Sequence, residues 1–199
     1  MAVPNLQPMS ANEFLAWVRD RSERYELVAG LPVCMMAGAK QSQAVVASNI
    51  LVSLSPQAKR GGCRTTASDT AVRTTPDSIR YPDLVVDCGP PDSQALEASV
   101  PTILVEVSSP GKSAIDVTDK LEEYQSLPST RVIVFIDPDV VSVKTYRRAS
   151  EGDWTTERYD DLDQIVPMPE IGAALSLADI YDTLTPEERP RLRVVNATR

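Results

Sequence analysis

The sequence predicts an α/β (α+β) domain: a mixed central sheet flanked by helices, entered through a short N-terminal helix and a β-hairpin. Three observations point there. Apolar runs of strand length, rich in Val and Ile, recur at Tyr81–Asp87, Pro101–Ser108 and Arg131–Asp137. Such near-continuous runs are the mark of strands covered on both faces. Helical spacing of apolar residues fills Ser42–Leu54 and Asp116–Leu127.

The first element is a helix. Ser10-Ala-Asn-Glu13 has the capping-box form, and Phe14, Leu15, Trp17 and Val18 follow it. Tyr25 to Met36 reads as a hairpin that turns at Ala29-Gly30. The Ser42–Leu54 helix carries Val45, Val46, Ile50 and Leu54 and is expected to end before Pro56, because proline lacks the N–H that a helix interior uses. Cys63–Thr75, rich in Thr and Val, is extended. Pro82 stands at the entry of the Tyr81–Asp87 strand, where a missing N–H does little harm. Gly89–Val100 is a polar loop, and Pro101–Ser108 is the central strand. Asp116 is expected to cap the next helix, with Leu121 and Tyr124 facing inward. Pro138 stops the Arg131–Asp137 strand. Ser142–Arg147 alternates and pairs with it. A strand near Trp154–Tyr159 and a short helix near Leu177–Leu184 finish the domain. Residues 1–9 read as an extension, 10–185 as one domain and 186–199 as a flexible tail.

Composition narrows the function. The 199 residues suit one domain with a full core. No apolar run nears the ~20 residues that a membrane helix needs. Met1–Ser10 lacks the basic start and apolar core of a signal peptide, so the expected compartment is the cytoplasm. Cys34, Cys63 and Cys88 are odd in number and form no CxxC pair, so three small thiols are expected rather than a disulfide or a zinc site. Histidine is absent. That excludes Ser-His-Asp and Cys-His catalysis and leaves carboxylates, lysines or a metal bound by oxygen. The net charge of −8 disfavours nonspecific coating of nucleic acid. The charge is uneven, however: Lys59, Arg60, Arg64, Arg73 and Arg80 face only Asp69 and Asp77 between Pro56 and Pro82, whereas the C-terminal third is strongly acidic. One reading is a solvated surface; the other is a basic approach path for phosphates.

Two carboxylates sit where carboxylates are costly. Asp83 opens a Val-rich strand, and Glu106 lies inside Ile103-Leu-Val-Glu-Val107. Burying an ionised carboxylate without a partner costs several kcal/mol, so Glu106 demands a cation or donors. If the two strands are neighbours, both side chains meet at one point. Asp83, Glu106 and the Val107 carbonyl then offer the oxygen set that proteins commonly give Mg²⁺, with water completing the octahedron. Lys120, one turn into the following helix, can orient an attacking water or steady phosphate charge. Taken singly, Asp83 reads equally as a backbone acceptor at a strand entrance. Lys120 reads as a solvated helix lysine, Glu26 as a hairpin surface residue, Tyr124 as core and Asp137 as a turn residue.

The order Pro82-Asp83, Glu106-Val107-Ser108, Asp116-x-x-x-Lys120-x-x-x-Tyr124 and Asp137-Pro138, preceded by Tyr25-Glu26-Leu27 and Gly30, resembles the Uma2 family (DUF820) of restriction-endonuclease-like proteins. The resemblance runs from about Ser10 to Tyr181. It implies a restriction-endonuclease-like PD-(D/E)XK core, in which an aspartate and a glutamate bind a divalent metal and a lysine helps position water. Asp83 and Glu106 match the acidic pair. Ser108 stands where that motif's lysine normally lies, and Lys120 takes its place from the helix. Glu26 matches an early acidic residue that serves as a further metal ligand or holds a metal-bound water. Many members carry a histidine at the head of the second helix, where this chain has Ser42.

The expected activity is therefore a Mg²⁺- or Mn²⁺-dependent endonuclease acting on DNA, as a homodimer that reaches both strands. Lys40, Arg73, Arg80 and Lys112 are expected at backbone phosphates. The alternative is a nuclease-fold module that binds nucleic acid or protein without turnover. No Gly-rich loop of the nucleotide-binding kind is present.

Overall fold

The computed structural model describes residues 7–35, 40–107, 114–149 and 152–188. α1 (Ala11–Val18) starts at the expected capping box: the Ser10 amide donates to Glu13 at 2.7 Å, and the Glu13 amide donates to Ser10 Oγ. β1 (Tyr25–Val28) and β2 (Leu31–Cys34) form the hairpin. Ala29 (φ 46°) and Gly30 (φ 82°) are both left-handed, the backbone that a two-residue hairpin turn requires.

α2 (Gln41–Arg60) departs from expectation by running through Pro56. Proline inside a helix normally costs about 3 kcal/mol. Here Leu54 and Ala58 flank it in the core, and Lys59 and Arg60 suit the helix C-terminus. The extended Cys63–Thr75 segment is two strands, β3 (Arg64–Ala67) and β4 (Val72–Thr75). β5 (Ser78–Arg80) precedes β6 (Leu84–Asp87), which starts later than the sequence suggested, after Pro82-Asp83. β7 (Pro101–Val107) is buried along its whole length. α3 (Ala114–Ser126) begins before Asp116, which therefore sits in the first turn rather than at the cap. β8 (Val132–Asp137), β9 (Ser142–Arg148) and β10 (Trp154–Tyr159) follow as expected. The sequence reading missed β11 (Ile165–Met168), a 3-10 turn at Pro169–Ile171, and β12 (Ala173–Ser176); α4 (Leu177–Ile180) closes the series.

Six strands make the central sheet in the order β10-β9-β8-β7-β6-β3, with β7 and β8 parallel and the other neighbours antiparallel. A second sheet runs β2-β1-β5-β4, and β11 and β12 pair as a hairpin. Alternation along β7 divides the interior. Ile103, Val105 and Val107 join Val46, Ile50 and Leu54 of α2 on one face. Leu104 joins Val85, Ile133 and Tyr124 of α3 on the other. α1 packs Phe14 and Leu15 on Leu27 and Ile79 of the second sheet.

Two expectations are corrected. Cys63 and Cys88 form a disulfide between neighbours of β3 and β6, and only Cys34 is free. The odd count concealed the bond, because the antiparallel pairing of β3 with β6 brings the flanking residues together. Disulfides persist in oxidising surroundings, which sets this bond against the cytoplasmic expectation. Glu187, inside the segment read as a tail, bonds to the chain that follows β8. The Val141 amide donates to the Glu187 carbonyl at 2.9 Å, and the Glu187 amide to the Asp139 carbonyl at 2.8 Å. Met36 and residues 189–199 lie outside the described residues. Among those described, no helix is long and apolar enough to cross a membrane.

Thiol titration of the native, unreduced protein should count one reactive cysteine, and three after reduction in denaturant. The bond closes a loop of sequence separation 25. Reduction is expected to lower stability by about 3 kcal/mol, read as a lower urea midpoint. Three reactive thiols in the unreduced protein would show that the bond does not form.

Candidate functional site

β6 and β7 are antiparallel neighbours with Leu84 opposite Val105. Continuing that register sets Asp83 opposite Glu106, so both carboxylates lie on the α3 side of the sheet. Asp83 Oδ2 accepts the Val107 amide at 2.7 Å. The Val107 carbonyl accepts Gln43 Nε2 from α2 at 3.0 Å. One residue of β7 thus touches both the aspartate and a buried amide side chain.

Glu106 is 2% exposed. Its Oε1 accepts Tyr124 Oη at 2.7 Å and Lys120 Nζ at 3.2 Å. Lys120 and Tyr124 are four apart on α3, hence on one helix face. Lys120 Nζ also donates to Glu26 Oε1 at 2.9 Å. Glu26, from β1, accepts the Tyr81 amide on Oε1 and Arg80 Nη1 on Oε2, the latter at 3.1 Å. Arg80 completes a fork onto Glu123, with Nε to Oε2 at 2.9 Å and Nη2 to Oε1 at 2.6 Å. Thr74 Oγ1 donates to the same Glu123 at 2.6 Å. Asp116 stands 4.0 Å from Arg80.

Burial opposes the charge on Lys120, but Glu106 and Glu26 outweigh it and hold the ammonium well above its ordinary pKa. Lys120 is therefore a permanent cation and donor, not a base. Burial and the negative charge of Glu106 push the Tyr124 hydroxyl far up. Burial also opposes the Arg80 charge, and Glu123 with Glu26 more than restores it. Among the described residues the group holds five carboxylates (Glu26, Asp83, Glu106, Asp116, Glu123) and two cations (Arg80, Lys120).

No three or more His, Cys, Asp or Glu side chains among the described residues close around a metal ion by themselves. What Asp83, Glu106 and the Val107 carbonyl offer is an all-oxygen set of two carboxylates and one carbonyl. That suits a hard divalent cation that keeps several waters. The surplus of negative charge suits it too.

The sequence-derived candidates divide. Asp83, Glu106, Val107, Lys120 and Glu26 come together. Arg80 does not serve as expected: at 2% exposed, its guanidinium is spent on Glu26 and Glu123 and cannot face a phosphate. Arg73 pairs with Glu97 and Asn12 near α1. Lys40 pairs with Asp139 at 2.7 Å, beside Ser42, on the rim of a cavity of about 460 Å³. Lys112 and Ser108 lie outside the described residues. Glu123 and Thr74 were missed, and Tyr124, read singly as core and in register with Lys120, meets Glu106. A charged residue inside buried β5, directly before Tyr81-Pro82-Asp83, was the available signal for Arg80.

Two opposed carboxylates on a mixed sheet beside a buried lysine define an α/β protein with an acidic centre. The chain belongs to the Uma2 family, described as "Putative restriction endonuclease", whose model matches residues 11–179. It is 24% identical over 175 residues to the uncharacterized protein slr1290 of Synechocystis sp., spanning 87% of this chain and 91% of that one. It is similar in fold to a crystal structure described as "a putative nuclease belonging to DUF820 from Anabaena variabilis", with TM-score 0.67 and 22% identity over 87% of this chain and 97% of that one.

Both Lys120 and Tyr124 have folded pKa values raised above the unfolded ones. Their stabilisation is complete below the unfolded values, about 10, and is lost as pH rises through the folded values. Urea unfolding is therefore expected to give a flat stability from pH 7 to 9 and a decline above about 10. Tyr124→Phe should cost about 1–3 kcal/mol at pH 7, by leaving Glu106 short of a donor, and should flatten that decline. An unchanged alkaline slope in Tyr124→Phe would remove the tyrosine from the network.

Proposed function

We propose that this protein is a Mg²⁺- or Mn²⁺-dependent endonuclease that hydrolyses phosphodiester bonds in DNA, on a PD-(D/E)XK core. The observation that carries this reading is the register that sets Asp83 opposite Glu106, with Lys120 donating to Glu106. Asp83, Glu106 and the Val107 carbonyl would hold the metal. Bound there, the cation supplies Lewis acidity to the scissile phosphate. Tyr124 fixes Glu106, and Gln43 and Asp83 fix the backbone on either side of Val107. Lys120, always charged, donates to a water or a phosphate oxygen and stabilises charge that grows in the transition state. Glu26 anchors that lysine rather than binding metal, since its oxygens already accept Lys120, Tyr81 and Arg80. Lys40, at the cavity rim, and Lys112 contact backbone phosphates. A homodimer brings two centres to the two strands.

One observation favours a second reading, a binding module without turnover. The chain has no histidine to act as a base, and the Ser42 hydroxyl at the head of α2 is committed to Asp139.

Titrating Mn²⁺ and Mg²⁺ calorimetrically into the parent and Glu106→Ala, alongside plasmid cleavage, separates the two. The endonuclease reading expects metal binding in the parent that Glu106→Ala abolishes, and cleavage that falls at least ~100-fold. Equal cleavage by a clean Glu106→Ala preparation sinks it. Metal binding and DNA binding without cleavage in the parent moves the protein to the second reading.

A further inference from the structure

Arg80 has no place in the chemistry just proposed, yet it is a charged side chain as deeply buried as Glu106. Its guanidinium uses all three nitrogens: Nε and Nη2 on Glu123, Nη1 on Glu26. Glu123 is itself steadied by Thr74. The contacts close a ring. Lys120 and Glu123 leave the same helix, α3; Lys120 meets Glu26, Glu123 meets Arg80, and Glu26 meets Arg80. Glu26 is thus held between two cations, one on each carboxylate oxygen.

We infer that Arg80, clamped by Glu123, is a positioning residue that sets how Lys120 is shared between Glu26 and Glu106. With Arg80 in place, one oxygen of Glu26 is already neutralised, so Glu26 does not monopolise the ammonium. Lys120 stays within reach of both carboxylates, at 2.9 Å from Glu26 and 3.2 Å from Glu106. Without Arg80, Glu26 has Lys120 as its sole cationic contact in the ring, and the ammonium moves toward it and away from Glu106. A lysine at position 80 does not substitute, because an ammonium cannot present the planar fork that grips Glu123 while a third N–H reaches Glu26. The effect on turnover rests on the nuclease reading; the effect on Lys120 does not.

The test removes the pair together. Arg80→Met with Glu123→Leu keeps the net charge and leaves neither partner buried alone, which folded proteins tolerate well. The chain has five lysines, so ¹⁵N-labelled lysine resolves the Lys120 ammonium directly in the full-length protein. The Lys120 Nζ resonance should shift in the double variant, and that shift should vanish when Glu26→Gln is present in both backgrounds. The same shift with or without Glu26, or no shift at all, overturns the inference whether or not the protein cuts DNA. If the parent does cleave, the double variant should lose ~30-fold or more in rate. An unchanged rate would overturn the inference on its own, while the nuclease reading would stand. Arg80→Lys should fail to restore either property; full recovery would show that charge alone suffices.

Discussion

A carboxylate stands next to the end of a strand that is buried along its entire length, and much of the molecule follows from answering it with donors. Glu106 is answered from α3 by Lys120 and Tyr124. Those residues are one helical turn apart, so satisfying both fixes the rotation of α3 about its axis and its position along the sheet. Lys120 in turn needs more negative charge than Glu106 provides, and Glu26 supplies it from the second sheet. Glu26 is balanced by Arg80, and Arg80 returns to α3 through Glu123. The chain of compensation that starts at one residue of β7 ends by tying the small sheet to the helix over the large one.

Such a ring does not explain the stability of the fold. Burying ion pairs costs about as much as it returns, and apolar replacements are often as stable. The stabilising term lies beneath it, where Leu104, Val85, Ile133 and the ring of Tyr124 close one face of the sheet, and on the other face, where α2 packs. What the ring provides is position. Removing one member of a pair strands a buried charge at a cost of about 3–5 kcal/mol. An arrangement that is neutral for stability and strict in geometry suits a site better than a scaffold.

Much of this was legible in the sequence, for identifiable reasons. Glu106 was readable because a carboxylate in an Ile-Leu-Val run violates the pattern around it, and Asp83 because proline marks the strand entrance. Lys120 and Tyr124 were readable as a pair by their helical spacing. The partners of these residues were not. Arg80 looked like a phosphate-binding surface residue because it is charged, and only the tertiary pairing of β1 with β5 buries it. Glu123 follows another glutamate on an ordinary amphipathic helix, and nothing local separates the two. Pro56 suggested a helix end because local propensity says so; packing of Leu54 and Ala58 overrides it. The Cys63–Cys88 bond depends on strand order, which the count of cysteines does not encode.

The two central carboxylates are opposite in register but unlike in surroundings. Glu106 is held from inside by side chains of α3 and is almost wholly buried. Asp83 is half-buried just ahead of β6 and is held by the backbone amide of Val107. A side chain fixed by a rigid helix and one fixed by its neighbour's peptide make an asymmetric pair: the first sets the depth of the site, the second borders its open side. Val107 joins them, since its amide meets Asp83 and its carbonyl, in the next peptide, meets Gln43 of α2. The layer opposite the ion ring therefore reaches the centre at Val107, and both layers bear on the surroundings of Asp83.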